Sequence, residues 1–255
     1  MKNKLNLTAV SYLNTKPFMY GLVKNGFDQD INISLDIPSQ TALKLKSGEA
    51  DLGLVPVAVI PELPEAHVIS DFCIGTVGKV YTVCIYGDCP IEQMDRLYLD
   101  YHSRSSVALT KVLARRYWNI APEMIPAQKG YIDQIGGTTG GLVIGDRTIG
   151  LEKRFEYVYD LGQAWLDYTG LPFVFAAWIS TRPLPADFVA RFNEALAEGV
   201  RQIPQLVYLI PSPRPDFDLQ HYFTHHISYQ LDTKKKKALQ IFLKMVNSPV
   251  QPVLV

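Results

Sequence analysis

Leu5-Asn6-Leu7-Thr8-Ala9-Val10-Ser11-Tyr12-Leu13-Asn14-Thr15-Lys16-Pro17 holds a first strand, a polar turn and the start of a first helix. Leu5 to Val10 alternates and is built from β-forming side chains, as a strand needs. Ser11 to Lys16 then supplies hydroxyls and an amide suited to capping. Pro17 fits the first turn of a helix, where its missing N–H leaves no bond unmade.

Outward from this stretch the pattern repeats. Ile31 to Ile37 reads as a strand, Pro38-Ser39 opens a short helix containing Leu43 and Leu45, and Gly48 can end it. Asp51-Leu52-Gly53-Leu54-Val55-Pro56 is the next strand. Strands alternating with helices predict a parallel sheet with crossover helices, the α/β class. Val80 to Tyr86 is rich in β-branched and aromatic residues, and Gly87-Asp88-Cys89-Pro90 is a turn at which the chain can leave a first lobe.

A second α/β unit then begins with the strand Leu97-Tyr98-Leu99-Asp100, the polar turn Ser103 to Ser106 and a helix over Val107 to Tyr117. Leu142-Val143-Ile144-Gly145-Asp146 repeats the pattern of a buried strand ending in an acid. After a helix near Leu161 to Tyr168, Thr169 to Trp178 is expected as the return crossover. Ala186 to Ile203 sets Phe188, Phe192, Leu196 and Val200 four apart on one helical face, and Thr233 to Val246 reads as a final helix. The expected lobes are residues 1–87 with 179–255, and residues 88–178, joined by short strands.

Lys plus Arg and Asp plus Glu number 25 each, so there is no global field to draw in nucleic acid or an anionic membrane. An anionic small molecule needs a local basic site. No window approaches the roughly 18 apolar residues of a membrane helix. Met1 to Val10 lacks the apolar stretch of about 7–15 residues found in a secretory signal, so a cytoplasmic location is expected. Cys73, Cys84 and Cys89 lack zinc-ligand spacing and read as reduced, structural thiols. Monomer and homodimer both remain open.

In open α/β sheets ligands gather at the carboxyl ends of strands, and three polar segments fall there. Ser11 to Pro17 offers a hydroxyl, a phenol, the Asn14 amide and Lys16; equally, Asn14 or Thr15 caps the helix. Ser103-Arg104-Ser105-Ser106 combines hydroxyls, N–H groups and a guanidinium, which suits a carboxylate or phosphate; equally, it is an ordinary helix start with a solvated arginine. Gly78-Lys79-Val80-Tyr81-Thr82 is a glycine turn whose Lys79 and Thr82 can face a cleft. The glycines at 75–78 and 136–141 match no nucleotide-binding pattern. His221, His225 and His226 lack an acid to complete a metal set and are expected at the surface or in packing. The Lys234 to Lys237 run reads as a solvated helix face.

Taken in order, these segments resemble the chorismate dehydratases of the futalosine route to menaquinone. The resemblance rests on 10–17, on Ala50 to Val57, on Ser103 to Val107, on Ile144-Gly145-Asp146, and on Asp160-Leu161-Gly162 through Trp165 to Phe175. It implies a two-lobed, periplasmic-binding-protein-like fold of the second type with the substrate cleft between lobes. It also implies a cofactor-free removal of water from chorismate, giving 3-[(1-carboxyvinyl)oxy]benzoate. On this reading Asn14 is the catalytic residue, orienting a substrate whose own enolpyruvyl carboxylate takes the proton. Ser11, Thr82, Ser103, Arg104, Ser105, Ser106 and Asp146 would bind substrate, Asp146 holding a ring hydroxyl or bracing the cleft; no metal is implied. The related dihydroxynaphthoate synthases carry a Pro-Cys-Pro-Asn-Asp type of segment where this chain has Ser11 to Thr15. A non-catalytic carboxylate-binding protein with the same lobes is the alternative of a different class. Lys79 stands where the family usually has proline, and Tyr101-His102 replace smaller residues.

Overall fold

A computed structural model describes residues 4–247; the outer ends of the expected first lobe, residues 1–3 and 248–255, lie outside the described residues. In chain order the elements are β1 (Leu5–Val10), α1 (Lys16–Lys24), β2 (Ile31–Asp36), α2 (Pro38–Ser47), β3 (Leu52–Pro56), β4 (His67–Thr76) and β5 (Val83–Gly87). Then follow β6 (Arg96–Leu99), α3 (Ser105–Arg116), β7 (Glu123–Pro126), β8 (Thr139–Ile144), β9 (Tyr157–Asp160) and α4 (Leu161–Thr169). The last are β10 (Phe173–Ser180), α5 (Ala186–Arg201), α6 (Ile203–Leu206), α7 (Leu219–His221), β11 (Ser228–Gln230) and α8 (Thr233–Asn247).

Two mixed sheets form, ordered β11-β4-β10-β3-β1-β2 and β7-β6-β8-β5-β9. Their wiring is the same. In the first, β1 lies between parallel β2 and β3; in the second, β6 lies between parallel β7 and β8. Each then takes in one antiparallel strand from across the molecule. β10 runs between β3 and β4, and β5 between β8 and β9. Each sheet therefore depends on a strand delivered by a crossing, which ties the two lobes into one fold.

These pairings shift the expected lobe boundaries. Val83 to Gly87 pairs wholly within the second sheet, and Phe173 to Ser180 pairs within the first on both sides of the expected break at 178. We propose that the chain changes lobe at residues 77–82 and 161–172. The apolar run Val80 to Tyr86 hides the first crossing because its opening residues are not strand: Tyr81 takes the left-handed conformation, φ 68°. Asp160 pins this crossing, accepting N–H bonds from Val80 and Tyr81 at 3.1 and 2.7 Å while it caps α4 through Gly162 and Gln163.

The first lobe's cover forms as the periodicity of α5 predicts: Phe188, Phe192 and Leu196 are buried, and Val200 is half-buried. α1 and α5 cross at Gly21 and Gly199, where any Cβ would strike the backbone of Ala195 or of Pro17. That contact sets α1, and with it the turn before it, firmly against the lobe. The lysine run departs from expectation. Lys235 is 1% exposed, and its ammonium donates to Ser228 Oγ and the Gln230 carbonyl, both at 2.7 Å. These bonds tie α8 to β11. Among the described residues no helix is long and apolar enough to cross a membrane.

Candidate active site

The carboxyl ends of the parallel strands of both sheets face one another across a cleft, as the topology requires. Its polar lining is Tyr12, Asn14, Thr82, Ser103, Ser105 and Ser106; its apolar walls include Val10, Ile74, Val80, Ile144 and Phe175. The space between them, counting the part open to solvent, is about 510 Å³. None of the described lining residues carries a formal charge.

Asn14 sits in a single 3₁₀ turn over Leu13–Thr15, between β1 and α1. The capping alternative does not hold: Thr15 occupies the N-cap of α1 without a side-chain bond to it. Instead the Thr15 hydroxyl donates to Asn14 Oδ1 at 3.3 Å, and the Tyr229 hydroxyl donates to the Asn14 carbonyl at 3.1 Å. Thr82 enters from the first crossing; its hydroxyl is buried and hydrogen-bonded to that of Tyr222 at 3.0 Å.

The serines of the second turn divide by what they touch. Ser103 Oγ accepts the Ser106 N–H at 3.0 Å and steadies the start of α3. Ser105 Oγ donates to the Phe175 carbonyl at 2.8 Å and accepts the Ala58 N–H at 3.2 Å, so it bolts α3 to the first lobe. Ser106 Oγ makes no hydrogen bond among the described residues, and it faces the cleft at a helix N-terminus, where partial positive charge favours an anion.

Three expected ligands are not brought to the cleft. Arg104 turns outward, half exposed, and pairs with Glu62 at 3.1 and 3.3 Å, because the α3 start aims its long side chain over the lobe surface. Ser11 is exposed, its N–H donating to the Asp36 carbonyl at 2.9 Å as an extension of the β1–β2 ladder. Asp146 braces: its two oxygens accept the Leu13 N–H at 3.2 and 3.1 Å, joining the lobes. Burial raises its carboxyl to about 6, against the opposing pull of that N–H and of Lys16. Lys79 lines a separate outer groove with Tyr81 and Trp118 rather than the cleft.

A second clasp lies beside Asp146. The Tyr12 ring rests on Gly145, whose φ of 70° and missing side chain make room for it. Burial and Arg147 hold His102 below its ordinary range, so near neutrality its Nδ1 can accept the Tyr12 hydroxyl, 2.7 Å away. Beneath them Asp100 is fully buried, accepting N–H bonds from His102 and Ile144 at 2.9 Å and pairing with Arg147 at 2.5 Å. Tyr101 and His102, the departures noted in the sequence, are thus part of one ring-and-charge cluster, with Arg147 5.5 Å over the Tyr101 ring. Tyr222 and Tyr229 carry no signal in the sequence, and Asp100 stands out there only as the acid that ends a strand. The histidines form no metal set among the described residues, His221 and His225 stacking at 4.3 Å.

The family model for menaquinone biosynthesis matches residues 5–248. The chain belongs to that family. Within the curated proteins it is 28% identical to the chorismate dehydratase of Thermus thermophilus over 264 residues, 94% of each chain. Among solved structures it superposes on a protein of Archaeoglobus fulgidus with a TM-score of 0.70 at 14% identity, covering 95% of this chain and 96% of that one. A Candida albicans gene product with the generic periplasmic binding protein fold gives a TM-score of 0.64 at 14% identity, covering 98% and 96%. The periplasmic aliphatic sulphonate binding protein of Escherichia coli gives 0.57 at 14% identity, also covering 98% and 96%. This member of the menaquinone biosynthesis family therefore has the two-lobed α/β fold of the periplasmic binding proteins.

Proposed function

We propose that the chain is a chorismate dehydratase of the futalosine route, a hydro-lyase that forms 3-[(1-carboxyvinyl)oxy]benzoate in the cytoplasm. The observation that carries this reading is the chemistry of the cleft: an amide, hydroxyls and a helix N-terminus around apolar walls, with no charged side chain among the described lining residues. Such a site orients a substrate and stabilises its anionic groups, but offers no strong base. Chorismate fits that division of labour. The C3–H proton and the C4 hydroxyl leave together as water, the ring becomes aromatic, and no electrons are exchanged with an outside partner. The base is the substrate's own enolpyruvyl carboxylate, delivered to C3 by the way the cleft holds it. Asn14 is the residue that touches the reacting part of the substrate; Thr82 and Ser106 bind alongside it, and the α3 N-terminus receives a carboxylate.

Purified protein incubated with chorismate and no added cofactor should yield a product lighter by one water, with the ultraviolet signature of a benzoate. Tight binding of chorismate without turnover would instead favour a binding protein. Neither outcome with chorismate would point to the dihydroxynaphthoate synthase activity.

A further inference from the structure

Tyr222 is 1% exposed and does not line the cleft, yet its hydroxyl is hydrogen-bonded to Thr82, which does. It opens a π-helical turn, Tyr222–His226, that follows the short α7. Such turns are uncommon and often mark functional sites. Two segments meet at this phenol: the C-terminal turn that carries it and the crossing that carries Thr82. Tyr229, farther along the same C-terminal segment, holds the Asn14 carbonyl. Burial keeps the Tyr222 phenol protonated, so it always has one proton to donate.

The surroundings give this pair a direction. Buried off the cleft, the Tyr222 O–H has Thr82 Oγ1 as its acceptor among the described residues, whereas Thr82 also lines the cleft. The phenol therefore donates to Thr82 Oγ1, a hydroxyl that can accept and donate at once. Thr82, accepting from behind, then has its O–H free to donate forward into the cleft. We propose that Tyr222 is a positioning residue that aims the Thr82 hydroxyl at the bound substrate. The inference rests on the dehydratase reading, since it assigns Thr82 to substrate.

The test compares wild type, Tyr222→Phe and Tyr131→Phe in steady-state turnover of chorismate. Tyr131 is an equally buried phenol, donating to the Leu142 carbonyl at 2.6 Å in the second lobe, and serves as the structural control. Tyr222→Phe should lower kcat roughly tenfold with KM within about twofold, as expected when a hydrogen bond acting through other groups is removed. Tyr131→Phe should lower the melting temperature and leave kcat unchanged. A Thr82→Val, Tyr222→Phe double variant should lose no more than the worse single variant, because both sever the same link. Equal kcat in wild type and Tyr222→Phe, or fully additive losses in the double variant, overturns the proposal alone. A wild type that does not dehydrate chorismate overturns the dehydratase reading, and this proposal with it.

Discussion

The turns at Ser11–Pro17 and Ser103–Ser106 look alike in sequence: each follows a strand, opens a helix, and mixes hydroxyls with one cation. The protein uses them differently. In the second turn, Ser103 and Ser105 bond to backbone, Ser105 reaching across to Phe175 and Ala58. In the first, Tyr12 and Leu13 are gripped by the opposite lobe through His102 and Asp146, while the Asn14 side chain accepts only the Thr15 hydroxyl at full hydrogen-bond geometry. The cations agree in staying off the cleft lining. Composition therefore does not separate a substrate contact from a strut. Spare hydrogen-bonding capacity at the cleft does, and by that measure we propose Asn14 and Ser106 as the substrate contacts, while Ser105 holds the lobes.

The largest effect should come from the first turn. Asn14→Ala is expected to lower kcat by roughly 100-fold, the scale for loss of a preorganised polar group at a reacting centre, and to leave the melting temperature within a few degrees. Normal turnover by this variant, measured as benzoate formed from chorismate, would break the contrast between the turns and remove Asn14 from the mechanism.

Next is the clasp. Asp146 is an acid whose folded pKa, about 6, stands above its usual value of 3.8, so the native state holds the extra proton between those pH values. Stability contributed by that group therefore falls as pH rises through this window and is level above it. Asp146→Asn keeps an acceptor for the Leu13 N–H without the buried charge. It should be the more stable protein at pH 7, by on the order of 1–3 kcal/mol, with the difference vanishing near the lower end of the window. Urea titrations across that range that give parallel stability curves would show that burial does not raise the Asp146 carboxyl in the folded protein.

Much of this was legible from the chain itself. Alternating strand and helix signals placed β1, α1, β2, α2, β3 and α5, because each buries a face with a clear period. β4, β7, β9 and β11 drew no assignment. β4 carries Ser70 and Asp71 amid its apolar residues, and the other three are only three or four residues long, so pairing rather than pattern makes them strands. Asn14, Thr82 and Ser106 could be found as polar residues at strand and helix ends. What each polar group bonds to could not, since Tyr222 lies 140 residues from Thr82 and Asp146 lies 133 from Leu13. The outward turn of Arg104 was invisible for the same reason: Glu62, its partner, is 42 residues away.

Arg104 gives the smallest and sharpest prediction. A guanidinium beside hydroxyls at a helix start suits a carboxylate, and read alone that composition favours substrate capture. Placed on the lobe surface with Glu62, the same side chain makes an exposed ion pair of the kind worth at most about 1 kcal/mol. Arg104→Ala should therefore leave kcat and KM for chorismate within about twofold, with a stability change at the edge of detection. A KM raised tenfold or more would mean that the side chain swings from Glu62 into the cleft when substrate arrives. The second turn would then be a binding turn in its cation as well as in Ser106.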